Sequence, residues 1–197
     1  MLTKEQLLNP LAKLRGQKDV VVTSMGVTRP WGTHSSSDLD FASADSAMGH
    51  TADLALGIAL AQPQRKVICL NGDGSMLMTL GTLATVIAAQ ATNLVLVVVQ
   101  NDSYEITGNQ PIPAAGHIDF PTLARGAGFR RVYCFEDADS YGKQLPEVLS
   151  GKGPVFVTAR IERGTEGPIT RSEKEKSRYL QVSLAESAHN LRKKLMS

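Results

Sequence analysis

Apolar and polar positions alternate along this chain in blocks that favour strands separated by helices. Stretches with the spacing of an amphipathic or buried helix include residues 46–61 and 76–90. Runs rich in apolar and β-branched residues recur at 19–23, 66–70, 93–99, 130–135 and 154–161. This alternation predicts an α/β fold of three layers, α/β/α, in which helices cover both faces of a mostly parallel sheet.

Two of these runs are apolar at every position, which predicts that they form the centre of the sheet. Residues 67–70 read Val-Ile-Cys-Leu, and residues 94–99 contain only leucine and valine. A strand of this kind needs a covering layer on each of its faces. In open α/β sheets ligands bind beyond the C-terminal ends of the strands, so function is expected where these two runs end.

Capping boxes predict a helix near each end of the chain. Thr3 with Gln6 precedes leucines at helical spacing, and Gly16 ends the run. These leucines are Leu7, Leu8, Leu11 and Leu14. Ser172 with Glu175 repeats the box ahead of a polar segment that ends in three basic residues. We therefore expect a C-terminal helical tail that begins at about residue 172.

Composition narrows the classes of function that are possible. The 197 residues are 42% hydrophobic and 20% charged with a net charge of +2, which fits a single globular domain over residues 1–197. The basic residues are scattered, so neither nucleic acid nor a membrane is an expected partner. Cys69 and Cys134 lie in apolar runs without a CxxC pair and are expected to be buried thiols. The absence of an apolar leader favours a cytoplasmic location.

Candidate chemistry lies where the two central runs end. The first run continues into Gly72-Asp73-Gly74, and the second continues into Gln100-Asn101. Glycines allow a backbone to approach a ligand closely, and a helix that begins there favours phosphate. If the strands are neighbours, Asp73 and Asn101 supply a carboxylate and an amide oxygen to one point, which suits Mg²⁺ bound to a diphosphate. Taken alone, the glycine-flanked aspartate could equally be an ordinary turn and Asn101 a loop cap.

The spacing of these residues resembles the signature of thiamine-diphosphate-dependent enzymes, in which Gly-Asp-Gly precedes a pair of asparagines. Gln100 departs from the first asparagine, whereas Asn101 matches the second, which is the metal ligand of that family. The resemblance implies that the side chains of Asp73 and Asn101 and the backbone carbonyl of Ser103 bind Mg²⁺. A second match at residues 46–50 resembles the stretch whose methionine supports the bent cofactor. The cofactor-binding residues implied are Ser46, Ala47, Met48, Gly72, Asp73, Gly74, Ser75, Asn101, Ser103 and Tyr104.

The longer stretch from residue 48 to residue 86 is similar to the C-terminal domain of phosphonopyruvate decarboxylases and to the β subunit of sulfopyruvate decarboxylases. This similarity implies a carboxy-lyase that decarboxylates a small 2-oxo acid with thiamine diphosphate and Mg²⁺. In such enzymes a glutamate on a pyrimidine-binding domain activates the cofactor. Because the sequence predicts no second α/β domain, the similarity implies a separate pyrimidine-binding α-type subunit. It also implies an oligomer, which is a homodimer when the chain is alone.

Alternative functions remain open at this stage. A carboligase of the acetolactate-synthase type would use the same activated substrate carbon to attack a second carbonyl. A non-catalytic cofactor-binding or regulatory subunit could retain the fold without the activity. The β subunit of a 2-oxo acid:ferredoxin oxidoreductase is disfavoured, because two cysteines cannot hold a cluster. A dinucleotide-dependent oxidoreductase is disfavoured because no GxGxxG motif follows a strand.

Overall fold

The computed structural model describes residues 1–43 and 48–197, which form a six-stranded parallel sheet. Its strands are β1 (Val20–Thr23), β2 (Asp40–Ala42), β3 (Val67–Gly72), β4 (Leu94–Gln100), β7 (Arg131–Phe135) and β8 (Val155–Arg160). Their order across the sheet is β2-β1-β3-β4-β8-β7, and every pair is parallel. A short antiparallel pair, β5 (Ser103–Tyr104) and β6 (Gln110–Pro111), lies outside this sheet.

The apolar strands β3 and β4 occupy the centre of the sheet, as their sequences predict. All seven residues of β4 are buried, as are the first five residues of β3. The register pairs Gly72 with Val99, so both strands end at the same edge of the sheet. The loops that follow, with Asp73 and Asn101, therefore emerge side by side.

Helices cover both faces of the sheet and confirm the predicted three-layer α/β/α fold. One face packs against α1 (Lys4–Leu14), α2 (Met25–His34) and α7 (Ala138–Ser150). The opposite face packs against α3 (Thr51–Ala61), α4 (Asp73–Met78), α5 (Thr82–Ala88), α6 (Phe120–Ala127) and α8 (Leu184–Met196). Short 3₁₀ turns lie at Glu105–Thr107 and Arg178–Leu180. Within the described part of the chain, every helix is too short or too polar to cross a bilayer.

The N-terminal helix forms as its capping box predicts. The Thr3 side chain accepts a hydrogen bond from the backbone N–H of Gln6, and the Gln6 side chain accepts one from the backbone N–H of Thr3. Leu7, Leu8 and Leu11 are buried. The fourth leucine of the pattern, Leu14, is 49% exposed because it lies in the last turn, at the edge of the layer.

The second capping box does not begin a helix, so the expectation of a helical tail from about residue 172 is wrong. Residues 172–183 form turns and the short 3₁₀ segment, and the last helix begins at Leu184 with Ser183 as its cap. The Glu175 side chain accepts hydrogen bonds from Arg29 at 2.8 and 3.1 Å instead of turning back to the backbone of Ser172. Because Glu175 is bound by Arg29, which is distant in sequence, its side chain cannot complete the capping box with Ser172.

Other details also differ from the sequence expectations. The helix expected over 76–90 is divided into α4 and α5, and α4 begins three residues earlier, directly at Asp73. The helix expected over 46–61 begins at Thr51, and part of the expected range lies outside the described residues. The edge strand β2 was not predicted. Cys69 is buried as expected, but Cys134 is exposed, because it lies on the edge strand β7.

Candidate active site

Asp73 lies at the junction where β3 ends and α4 begins, and its side chain is almost completely buried. Its Oδ2 accepts hydrogen bonds from the backbone N–H groups of Asn101 at 2.9 Å and Asp102 at 2.7 Å. Its Oδ1 accepts one from the N–H of Gly74 at 2.7 Å. The carboxylate therefore joins the two loops that follow the central strands, as the parallel register requires.

Burial and a neighbouring like charge shape the electrostatic environment of Asp73. Burial raises the pKa of Asp73 from its ordinary value to about 6, although the backbone N–H groups of Asp102, Gly74 and Asn101 favour the charged form. The nearby carboxylate of Asp102 raises that pKa further. A bound cation would offset this cost, since buried charges in proteins are paired or coordinate metals.

The side chain of Asn101 is held in one orientation by its neighbours. Its Nδ2 donates to Oε2 of Glu105 at 3.1 Å, and its Oδ1 accepts from the backbone N–H of Ser103 at 3.0 Å. Glu105 is itself buried, forms an ion pair with Lys4 at 2.7 Å, and accepts from the N–H of Glu166 at 2.8 Å. Because the amide nitrogen faces a carboxylate, the amide oxygen is the atom left to bind a cation.

Gly74 has no room for a side chain, which explains one of the two glycines beside Asp73. A Cβ built on Gly74 would lie 2.3 Å from Cε1 of Tyr104 and 3.1 Å from Cγ2 of Ile112. The same construction on Gly72 meets its nearest atom, Oγ of Ser24, at 3.6 Å, an ordinary contact. Gly74 is therefore required for the close packing of the loop after β4 against the start of α4.

One cleft at the C-terminal edge of the sheet brings the predicted site residues together. Its lining includes all the described members of the predicted cofactor set: Met48, Gly72, Asp73, Gly74, Ser75, Asn101, Ser103 and Tyr104. Met48 is 40% exposed, so its side chain is not a core residue. The remaining two members, Ser46 and Ala47, lie outside the described residues.

Sequence reasoning missed part of the cleft, which is formed by the turn between β1 and α2. Ser24, Met25 and Gly26 line it, and Ser24 caps α2 without a hydrogen bond from its own side chain. The N-terminus of α2 therefore presents backbone N–H groups and a hydroxyl where an anion would be stabilised. The sequence did contain a signal for this turn. The turn directly follows residues 19–23, a predicted strand of the same sheet, and ligands bind where such strands end.

Lys4 and Glu105 also line the cleft, and no local pattern could have identified them. They are 101 residues apart in sequence, and each looks like an ordinary surface residue of its own segment. Only the packing of α1 against the neighbouring strand ends brings them together.

The oxygen donors at this edge suit a hard cation. Among the described residues, no three acidic, histidine or cysteine side chains are grouped as a metal site. Instead one carboxylate, Asp73, lies beside one side-chain amide, Asn101, and the backbone of Ser103. Mg²⁺ is commonly bound by one or two carboxylates together with neutral oxygens, water and substrate phosphates, so the donor set fits Mg²⁺.

Comparison with known proteins identifies the family to which this architecture belongs. The model of the family "Thiamine pyrophosphate enzyme, C-terminal TPP binding domain" matches residues 24–159, which include both strand-end loops of the cleft. The chain belongs to this family. Thiamine diphosphate is therefore the cofactor of this domain, and Mg²⁺ is the metal that accompanies it.

Relatives of this thiamine-diphosphate-binding domain include 2-oxo acid decarboxylases. The phosphonopyruvate decarboxylase of Streptomyces viridochromogenes is 39% identical over 119 residues, which are 60% of this chain and 30% of that protein. The sulfopyruvate decarboxylase subunit beta of Methanothermobacter thermautotrophicus is 36% identical over 118 residues, 60% of each chain. The chain thus spans less than a third of the first relative and about three fifths of the second.

A solved structure supports the same fold. The thiamine diphosphate-dependent 4-hydroxybenzoylformate decarboxylase of Rhodococcus jostii RHA1 superposes with a TM-score of 0.71 at 22% identity. The match covers 84% of this chain and 33% of that enzyme. At this level of identity the superposition establishes the shared fold of the thiamine-diphosphate-binding domain.

Proposed function

We propose that Asp73, Asn101 and Ser103 hold the Mg²⁺ that anchors the diphosphate of the cofactor. The observation that carries this proposal is the pair of hydrogen bonds from the N–H groups of Asn101 and Asp102 to Asp73. These bonds bring a buried carboxylate and an oriented amide to the same edge of the sheet. The side chains of Asp73 and Asn101 and the carbonyl of Ser103 supply the protein's share of the octahedron.

The neighbouring residues of the cleft are suited to the rest of the cofactor. Gly72, Gly74 and Ser75 form the start of α4, and Tyr104 packs directly on Gly74. The N–H of Gly49 donates to Oγ of Ser75 at 3.1 Å, which ties the residues after Met48 to α4. An anchored and exposed Met48 could support the bent cofactor. Ser46 and Ala47 stay predicted contacts.

The activity we propose for the assembled enzyme is the decarboxylation of a small 2-oxo acid of the sulfopyruvate or phosphonopyruvate type. The named activities of the two relatives above support this assignment. When bound through Mg²⁺ at Asp73, Asn101 and Ser103, thiamine diphosphate would supply a nucleophilic carbon for the keto group and a ring that takes up the electron pair left by CO₂. The residues of this chain would bind and orient the cofactor, and Val27, Val99 and Ile161 add apolar surface to the cleft.

The carboxylate that activates the cofactor is expected from a second, pyrimidine-binding subunit. Among the described residues, the acidic side chains that line the cleft are Asp73 and Glu105. Glu105 is held by Lys4, Asn101 and the N–H of Glu166, so it is not free to bond the aminopyrimidine. The relative's designation as a subunit beta supports a partner chain.

Exposed apolar side chains on α3 and α4 offer a surface for that partner. Leu54 and Leu60 on α3, and Met78 at the end of α4, are 38%, 52% and 54% exposed. The helix α3 is apolar around most of its circumference, a pattern typical of helices covered on two sides. We propose that this surface is covered in an oligomer, and that the chain pairs with itself when the partner is absent.

The experiment that tests the function uses the chain with and without a candidate pyrimidine-binding subunit encoded beside it. Each sample receives thiamine diphosphate, Mg²⁺ and a panel of 2-oxo acids including sulfopyruvate and phosphonopyruvate. We expect aldehyde and CO₂ only when both chains are present. Robust release by this chain alone would contradict the shared site, and a coupled hydroxyketo product would indicate a carboligase instead.

A further inference from the structure

Asp102, between the two proposed metal-binding residues of its loop, adopts a backbone conformation that L residues rarely occupy. Its φ is +57°, in the left-handed region. The N–H of this same residue donates the 2.7 Å bond to Asp73. Asp adopts this region more readily than most L residues when its short side chain forms a local hydrogen bond, so a contact to the Asp102 carboxylate helps to hold the turn that carries this N–H.

The Asp102 carbonyl accepts a long hydrogen bond from the N–H of Ile112 at 3.4 Å, and its side chain is contacted from a fixed position by Gln100, at the end of β4. Its Nε2 donates to Oδ1 of Asp102 at 3.0 Å. Gln100 is anchored through its own backbone, because it pairs with Arg160 of β8 and its carbonyl accepts from the N–H of Ile161 at 2.8 Å. The hydrogen bond thus ties the turn to a rigid strand.

The rest of the Gln100 side chain argues against a role in packing alone. Gln100 is 5% exposed, and its Oε1 is buried with no hydrogen-bond partner in the described part of the chain. A buried acceptor without a partner destabilises the folded state, and an apolar side chain of the same shape would avoid that cost. The part of the amide that makes a contact is therefore its donor, Nε2, which binds Asp102.

We propose that Gln100 is a positioning residue that holds Asp102 in the left-handed conformation and so aims the N–H groups of Asn101 and Asp102 at Asp73. The expected effect of Gln100 on cofactor binding rests on the proposed Mg²⁺ site. Its expected effect on the geometry of the loop is independent of that site.

The first test measures Mg²⁺-dependent binding of thiamine diphosphate by calorimetry for Gln100→Met, which keeps the length of the side chain but cannot donate. The affinity should fall about tenfold, the typical effect of losing an outer contact to a metal site. In an Asp102→Gly background, where glycine adopts positive φ without strain, the same change should cost less than about twofold. In an Asp102→Asn background, which removes the charge but keeps a side chain and an acceptor, it should again cost about tenfold.

These backgrounds separate positioning from general destabilisation. Equal losses in the glycine and wild-type backgrounds would show that Gln100 acts through packing, and they would overturn the proposal. So would an unchanged affinity for Gln100→Met in the wild-type chain. Thermal unfolding of each variant establishes that the comparison is made between folded proteins.

The second test does not depend on the cofactor. In the free chain, amide hydrogen exchange should show protection of the Asn101 and Asp102 N–H groups, loss of that protection in Gln100→Met, and its return in Gln100→Met with Asp102→Gly. If wild-type protein fails to bind thiamine diphosphate even with the partner subunit present but shows this exchange pattern, the proposed function fails and the positioning role stands. Unchanged protection in Gln100→Met would refute the positioning role whatever the cofactor does.

Discussion

Two asparagines flank the central strand β4, and their environments are opposite. Asn93 precedes the strand, and its Nδ2 is directed at the backbone carbonyls of Ala59, Gln62 and Arg65, at 3.0, 3.1 and 2.7 Å. Asn101 follows the strand, and its Nδ2 meets Glu105 beside an open cleft. One asparagine closes the end of a helix and its loop, whereas the other lines the cleft.

This comparison shows that the role of a polar residue depends on the end of the strand at which it lies. At the N-terminal end of β4 the amide is directed at carbonyls at the end of α3 and in the following turn, where helical hydrogen bonding stops. At the C-terminal end, the carboxylate of Asp73 meets the backbone N–H groups of the loop that carries Asn101. In parallel sheets ligands bind at the C-terminal ends of the strands. The role of each asparagine therefore follows from its place in the topology and not from its residue type alone.

The largest expected effect comes from removing the ligand oxygens at the C-terminal end. Asp73→Ala and Asn101→Ala should each abolish Mg²⁺-dependent binding of thiamine diphosphate. The affinity should fall more than about 100-fold, because that is the largest loss expected when only a contact outside the metal's own ligands is removed. Calorimetry with and without Mg²⁺ measures the loss. Asn93→Ala is the matched control and should leave binding unchanged; retained affinity in both site variants would remove the basis of the assignment.

Gly74→Ala tests how tightly the C-terminal end is packed. The added Cβ would lie 2.3 Å from the Tyr104 ring, so the ring and the loop after β4 must shift. We expect a loss of about 1–3 kcal/mol in the free energy of unfolding, as for overpacked cores, together with weaker cofactor binding. Denaturant unfolding and calorimetry report the two effects. Unaltered stability would mean that Tyr104 can move freely and does not fix the loop.

Asn93→Ala should act on stability and not on binding. Truncation removes the Asn93 donor from the carbonyls of Ala59 and Arg65, which costs about 1–2 kcal/mol, whereas the Gln62 carbonyl keeps its bond from the Arg65 N–H. Urea unfolding measures this loss, and a serine at position 93 should recover only part of it. A weakened cofactor affinity in this variant would contradict the division between the two ends of the strand.

Local signals made much of the fold and of the site predictable from sequence. These signals are the Thr3 capping box, the apolar strands and the distance between Gly-Asp-Gly and Asn101. Each depends on neighbouring residues or on strand register. The Ser172 box was lost because Glu175 bonds Arg29, which lies 146 positions away. The Lys4–Glu105 pair and the exposure of Cys134 likewise depend on tertiary packing, which no local pattern encodes.

The smallest expected effect concerns Gly57, an exposed glycine within α3 whose Cβ would meet nothing within 4 Å. Because glycine destabilises a helix interior by about 0.5–1 kcal/mol relative to alanine, Gly57→Ala should stabilise the isolated chain by that amount. Cofactor binding should not change, since α3 contributes its N-terminal Thr51, and not Gly57, to the cleft. If the exposed face of α3 meets a partner subunit, the same methyl group should weaken association even though it stabilises the chain. Thermal unfolding of the chain alone, followed by sedimentation with the candidate partner, separates the two effects. Stabilisation with unchanged association would place the partner surface elsewhere, and destabilisation of the isolated chain would contradict the helix geometry described for α3.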